Sequence, residues 1–391
     1  MDERELQNQL KAYQRANNWM GIVDLLKDAC RPGDWGWNDG AALSTLGFAY
    51  TQLNALREAE AIYQRWIEVE PDRAQPFYCL GYVYYLERNW QQAIRWFEEA
   101  LRLFPDYLVV HYRLAYAHQA LHTPQKALPH LDRVQQIYQA NTDENWQRRN
   151  RKTLVKAQFL QARLCNRLGR YQKARHLLQN LLNGGGEKYL RLMDLYYELG
   201  KAYAGEGQHT RALEVLERAA EMARPPQPYI YDQIGRVLQA CSQHAQALEY
   251  FNRALKIRRQ PFILVNRART NLALGQPALA IRDLHEALKR DKKGKHKIYL
   301  ELGKIYLEQK KLTEAEHYLR QAIQFKQKTY HADYAEAHYG LVFVHLERGD
   351  REAARRALEK ALDVNPNLEW DEQLIEVLGM NRAATGPPVN F

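Results

Sequence analysis

Five basic residues recur along the chain at intervals of 33 to 38 residues. Each directly follows a glycine or an alanine, as in Gly200-Lys201 and Ala268-Arg269. Residues that occupy one place in a repeating unit line up when the units stack, and a row of cations attracts an extended anion such as an acidic peptide or a nucleic-acid strand. A solvated basic helix face is the alternative interpretation. The row consists of Arg163, Lys201, Arg236, Arg269 and Lys304, with Arg167 beside its first member.

Charge is distributed unevenly around this row. The net charge is −3 over residues 1–140, +18 over 141–331 and −5 over 332–391, which gives +10 for the whole chain. All five cations lie in the basic middle segment. Acidic residues near the row, namely Asp194, Asp232 and Glu301, are expected to neutralise part of it.

Aromatic residues stand at related positions in the first part of the chain. A tyrosine ring is rigid and has a polar tip, so a wall of such rings suits a peptide or a stacked base. The chain has 25 tyrosines, and ordinary packing is the alternative explanation for some of them. The candidate ligand-contacting aromatic residues are Phe48, Tyr78, Tyr82, Tyr85, Tyr112 and Tyr116.

No motif of a catalytic or cofactor site accompanies these residues. HExxH, GxSxG and P-loop patterns do not occur in the sequence, so it predicts neither an enzyme nor a bound cofactor. The four cysteines are at least 49 residues apart and form no CxxC, which argues against disulfides and zinc. With no bilayer-length apolar run and no apolar signal core near Met1, we expect a cytoplasmic protein that does not enter a membrane.

A short motif recurs throughout the chain. Phe77, Leu80, Gly81 and Tyr84 are followed by Ala93 twelve residues after the glycine, and then by Phe97, Ala100 and Pro105. This pattern closely resembles the tetratricopeptide repeat (TPR) family, with Phe77 where tryptophan is usual. The small residue of the second helix recurs at Ala59, Ala93, Ala127, Ala174, Ala212, Ala247, Ala280, Ala315 and Ala354.

The resemblance implies an all-α fold: a right-handed α-solenoid of about nine helix–turn–helix repeats. In that family the first helix of each repeat faces a concave groove, where the aromatic residues and the cation row are then expected to lie. The implied function is a scaffold or adaptor that binds another protein or peptide, with an acidic segment on the cations. Binding of RNA or single-stranded nucleic acid by residues 141–331 is the alternative.

The repeat pattern also predicts the limits of the array. Residues 1–39 are expected to form a degenerate helix pair and a loop, and residues 40–366 the repeats. Residues 367–391 are expected to form a capping helix followed by a disordered tail from 381 onward. One interval is 47 residues long, which predicts an insertion near 141–152 that lengthens two helices or forms a loop.

Two further predictions concern histidines and turns. His118 and His122 have the i, i+4 spacing of a metal-binding pair on one helix face, but His111 and His118 fall at packing positions of the repeat, so no metal site is predicted. Glycines between the two helices of several repeats predict left-handed turns; these are Gly169, Gly207, Gly275 and Gly349.

Overall fold

The computed structural model describes residues 3–379, which form helices joined by short turns and, over that range, contain no strand. This confirms the all-α prediction, including the helix pair before the first repeat and the helix after the last. The chain groups into two compact units that divide after Gly207.

The first unit contains eleven α-helices among its described residues. Counted along the described chain, the helices of the two units make nine consecutive pairs, which correspond to the nine repeats. The helices are α1 (Glu3–Arg15), α2 (Trp19–Leu26), α3 (Gly40–Gln52), α4 (Leu56–Val69), α5 (Ala74–Leu86), α6 (Trp90–Leu103), α7 (Leu108–Ala120), α8 (Pro124–Ala140), α9 (Glu144–Arg167), α10 (Tyr171–Asn183) and α11 (Leu192–Gly205).

The second unit continues the same pattern and ends with a single short helix. Its described helices are α12 (His209–Met222), α13 (Pro228–Ala240), α14 (His244–Ile257), α15 (Pro261–Ala273), α16 (Pro277–Arg290), α17 (Lys295–Glu308), α18 (Leu312–Tyr330), α19 (Ala335–Glu347), α20 (Arg351–Val364) and α21 (Gln373–Leu378).

Small repeat residues allow close packing in the helix pairs α5–α6 and α13–α14. A Cβ atom on Gly81 of α5 would lie 2.7 Å from Phe97 Cδ1 of α6, so a larger residue would push the two helices apart. Gly235 of α13 has the same relation to Phe251 of α14, at 2.8 Å. Both phenylalanines are completely buried, and burial of each contributes about 2–3 kcal/mol.

The turn between the two helices has one backbone conformation in all nine repeats. One residue adopts a left-handed φ, and in the turns that lie within one unit the next residue donates its N–H to a carbonyl five residues earlier, as Asn89 does to Tyr84 at 2.9 Å. The four glycine positions predicted for this role have φ between 70° and 79°. Five repeats use other residues: Asn54, Arg88, His122, Ser242 and Lys310.

The extra residues of the 47-residue interval lie mainly in long helices. Helix α8 has 17 residues and α9 has 24, and only three residues separate them. Asp143 begins α9 by accepting hydrogen bonds from the backbone N–H groups of Asn145 and Trp146. The Trp146 ring packs against Tyr138 of α8 at 6.0 Å, which joins the two extensions.

The ends of the array are covered by apolar side chains. Near the start, Ile22 and Leu26 of α2 pack with Leu43 of α3. Near the end, Leu374 and Leu378 of α21 pack against α19 and α20. The predicted disordered tail, residues 381–391, lies outside the described residues. No helix over residues 3–379 combines the length and apolar character needed to cross a bilayer.

Candidate binding surfaces

An aromatic cluster, called here the aromatic box, lies where α5, α6 and α7 meet in the first unit. Tyr82 stacks on Tyr85 at 5.9 Å and on Tyr78 at 6.3 Å. Tyr116 of α7 and Trp90 of α6 lie 5.5 Å and 5.4 Å from Tyr85. These five residues form the aromatic box, which therefore brings together four of the six predicted aromatic residues.

An arginine occupies the aromatic box. The guanidinium carbon of Arg113 lies 4.0 Å from the centre of the Tyr82 ring and 4.9 Å from that of Tyr85, and its Nε donates to Tyr78 Oη at 3.3 Å. Burial raises the pKa of Tyr85, so its phenol stays neutral at physiological pH. The box thus presents a fixed cation between neutral rings.

The other two predicted aromatic residues lie elsewhere. Phe48 of α3 is 47% exposed and packs edge-on against Trp19 of α2 at 5.4 Å. Tyr112 is partly buried and packs with the core of the third repeat and α9. Phe48 is therefore open to a ligand at a separate place, whereas much of the Tyr112 ring serves packing.

In the first unit, one carboxylate lies between two of the predicted cations. Glu198 Oε1 is 3.5 Å from Arg163 Nε, and Glu198 Oε2 is 2.9 Å from Lys201 Nζ. Asn166 Nδ2 also donates to Glu198 Oε2, at 3.0 Å. The side chain of Glu198 is only 7% exposed, so its charge is held close to both cations. Arg167, at the end of α9, is exposed.

In the second unit, the remaining three cations are exposed on α13, α15 and α17. Side chains join these helices, because Asn266 of α15 donates to Asp232 Oδ1 of α13 at 2.8 Å, and Arg269 donates to Glu301 Oε1 of α17 at 2.8 Å. Lys304 of α17 has no acidic partner within residues 3–379. The first helix of each of three consecutive repeats therefore carries one exposed cation. We call this set the second-unit row; it consists of Arg236, Arg269 and Lys304.

Two of the three acids named from the sequence are part of these contacts. Burial raises the pKa of Asp232 to about 6, against the opposing effects of the Asn266 hydrogen bond and the Arg236 charge. It is thus ionised in most molecules at neutral pH. Glu301 pairs with Arg269, whereas Asp194 pairs with Arg191, outside the predicted row.

Three histidines meet in the third repeat, but they bond to one another and to neighbouring protein oxygens. His111 Nε2 donates to the Pro105 carbonyl at 2.8 Å, so its Nδ1 accepts from His130 Nδ1 at 3.0 Å. His118 stacks on His130 at 5.9 Å. The expected shared helix face of His118 and His122 is wrong, since α7 ends at Ala120 and His122 is the left-handed turn residue. No metal-binding group of three His, Cys, Asp or Glu occurs over residues 3–379.

Comparison with protein families identifies the repeats directly. Models described as tetratricopeptide repeat match residues 74–107, 194–225, 228–261 and 294–367. The chain is a tetratricopeptide-repeat protein. The TPR family typically provides non-enzymatic scaffolds, and the repeats of this TPR protein support a protein-interaction scaffold in general. No curated protein matches the sequence.

Several solved structures are similar to this TPR protein at low sequence identity. A tetratricopeptide repeat protein from Parabacteroides merdae is 16% identical, with a TM-score of 0.45 over 71% of this chain and 98% of the other. Yeast Tom70 is 17% identical, with a TM-score of 0.43 and coverage of 85% and 78%. A human IFIT1 dimer with PPP-AAAA is 17% identical, with a TM-score of 0.44 and coverage of 92% and 82%. At these scores the matches carry no information on the ligand of this TPR protein.

Sequence reasoning missed three residues of the TPR surfaces: Trp90 and Arg113 of the aromatic box, and Glu198 beside the cations. Arg113 directly follows Tyr112, but its place among the tyrosines depends on how α7 stacks against α5. Glu198 lies three residues before Lys201 on one helix, which is a readable signal for an ion pair. Its contact with Arg163 joins α9 and α11 and becomes visible only once the repeats stack.

Proposed function

We propose that this TPR protein is a non-enzymatic adaptor that binds an extended, acidic segment of another protein. The observation that carries the proposal is the second-unit row, in which Arg236, Arg269 and Lys304 stand exposed at one equivalent place on three consecutive first helices. An extended chain that crosses these helices meets a cation in each repeat. In the first unit, the aromatic box by itself provides surface for an apolar side chain of a protein partner.

Carboxylates among the cations favour a protein segment over nucleic acid. Arg269 is paired with Glu301, Asp232 lies within electrostatic reach of Arg236, and Glu198 is shared by two cations of the first unit. Nucleic acid carries a phosphate at every nucleotide, and each fixed carboxylate near its path repels one of them. An acidic protein segment has fewer charges and can place neutral residues beside these carboxylates.

Charge reversal in the second-unit row tests this proposal. Arg236→Glu/Arg269→Glu in the full chain should abolish binding of a fluorescein-labelled glutamate-rich peptide, measured by fluorescence anisotropy. The matched control is Lys256→Glu/Arg282→Glu, which makes the same charge change at exposed positions on the second helices α14 and α16. Equal loss of binding in both variants, or no loss in the first, would refute the role of the row.

Capture from a cell lysate, with and without nuclease, separates protein from nucleic-acid partners. We expect the captured proteins to persist after nuclease treatment and to be lost from the charge-reversed variant. A labelled oligouridylate serves as the direct comparison, because nucleic-acid affinity falls steeply with salt when several phosphates are contacted. Tighter binding of the oligouridylate than of the peptide, with a steep salt dependence, would replace the proposed partner class by RNA.

A further inference from the structure

Arg113 is a partly buried cation without an acidic partner. Its side chain lies against Tyr82 and Tyr85, and no carboxylate pairs with it anywhere in the described range, residues 3–379. The groups that act on its charge are phenols, foremost that of Tyr78. A cation that is this enclosed normally needs a counter-charge, because ring faces and a phenol oxygen replace only part of the lost hydration.

The guanidinium is only partly used by the protein. Of its five N–H groups, Nε–H donates to Tyr78 Oη, and the Nη groups have no acceptor among the described side chains and backbone. The planar ring contact with Tyr82 fixes the orientation of the group, so these donors keep a defined direction. A fixed pair of guanidinium N–H donors matches the two oxygens of a carboxylate.

We propose that the aromatic box is a carboxylate-binding site, in which Arg113 recognises an aspartate or glutamate side chain of a peptide that has an aromatic or large aliphatic neighbour. The proposal rests on the adaptor function above and specifies which ligand residue the first unit selects. The carboxylate supplies the counter-charge that Arg113 lacks. The neighbouring apolar side chain packs on Tyr116, which is 38% exposed and lies beside both Tyr85 and Trp90.

Charge favours a carboxylate over a phosphate at this site. The box contains one guanidinium, and residues 1–140, which include it, have a net charge of −3. A phosphate group carries up to two negative charges at neutral pH and three strong acceptor oxygens. One arginine in an acidic segment neutralises a monoanion, whereas a dianion would retain an unpaired charge between the rings.

The test compares two labelled peptides that differ by one group: Phe-Asp-Phe or Phe-Asn-Phe within the same glycine–serine sequence. We expect the full-length protein to bind the aspartate peptide about tenfold more tightly by fluorescence anisotropy. Arg113→Met should remove this preference, and Arg113→Lys should keep only part of it. Arg95→Met is the control, because Arg95 is an exposed arginine over Trp96 outside the box and should not affect the preference.

Each result of these binding measurements either supports or overturns the assignment of the aromatic box as a carboxylate-binding site. Equal binding of the two peptides by the unmodified protein overturns it, and this comparison needs no variant. A preference for aspartate that survives in Arg113→Met also overturns it, as does tighter binding of a phosphoserine peptide than of the aspartate peptide. A melting temperature of Arg113→Met at or above that of the unmodified protein supports a ligand role, since removal of a structural cation would lower it.

The same experiment distinguishes this inference from the proposed function. Binding of the glutamate-rich peptide to the second-unit row can persist when the aspartate and asparagine peptides bind equally, and then only the assignment of Arg113 fails. Absence of glutamate-rich binding, with the aspartate preference intact, would instead remove the row and leave the aromatic box as the binding site.

Discussion

Replacing the carboxylate of Glu198 should strengthen binding of an acidic ligand. Glu198→Gln keeps the size of the side chain and an oxygen that can still accept from Asn166, but it removes the negative charge between Arg163 and Lys201. We expect an acidic ligand to contact these two cations as well, and Glu198 then competes with the ligand for them. Removing the Glu198 charge changes the summed charge of Arg163, Lys201 and residue 198 from about +1 to about +2.

The size of this effect follows from the geometry. Lys201 Nζ is 2.9 Å from Glu198, and a ligand carboxylate on the other side of the ammonium would lie about 5–6 Å from the Glu198 oxygens. Two unit charges at that distance repel by about 1 kcal/mol in a well-hydrated surface site. The variant should therefore lower Kd about fivefold.

Fluorescence anisotropy with the glutamate-rich peptide measures the change, at low and at physiological salt. The gain should shrink as salt rises, because the repulsion it relieves is screened. Glu206→Gln is the matched control: Glu206 is as buried as Glu198 and pairs with Arg175, on the second helix α10. Unchanged or weaker binding by Glu198→Gln, or an equal gain in the control, would refute the reasoning.

Three predictions concern stability. Burial lowers the pKa of His130 from 6.5 to about 4, so between these pH values the unfolded chain binds a proton that the folded chain does not. The free energy of unfolding should therefore be constant above pH 7 and fall as pH drops from about 6.5 toward 4. Urea denaturation at several pH values should show a shallower fall for His130→Phe. Phe97→Ala should cost about 3–5 kcal/mol in the same assay, because Phe97 is fully buried against Gly81, and a loss under 1 kcal/mol would contradict the packing. Asp283→Ala should cost about 3–5 kcal/mol, because Arg267 loses its counter-charge and Asn271 loses a hydrogen-bond acceptor. Asp283→Leu/Arg267→Met should recover part of that loss, and equal melting temperatures of the two variants would exclude this account.

The repeat architecture was predictable because the residues that define one repeat lie at fixed, short separations in the sequence. Ala93 and Phe97 stand at a fixed distance from Gly81, and the structure packs them in one helix pair. The turn glycines were predictable for the same reason, since a left-handed φ favours residues without a Cβ atom. These features depend on neighbours within one repeat, which the sequence presents directly.

Features that depend on contacts between repeats were not predictable. Arg113 belongs to α7 and meets tyrosines of α5, and no spacing along the chain shows this. The partner of Arg163 was missed for the same reason, as Glu198 belongs to the next repeat. His122 was placed on a helix face because an i, i+4 spacing assumes a continuous helix, and α7 ends two residues before it. Whether the cation positions contact a ligand stays a prediction.

The shared left-handed turn has a consequence for engineering the array. Arg88, Ser242 and Lys310 adopt at φ of 58–61° the conformation that other repeats reach with glycine. A side chain with a Cβ atom loses roughly 1 kcal/mol in that conformation, and the strain recurs independently in separate repeats. Glycine at these three positions should relieve this strain and raise the free energy of unfolding, without altering any residue of the aromatic box or the second-unit row. The turns are therefore places where the array can be stabilised without changing the two surfaces proposed to bind a partner.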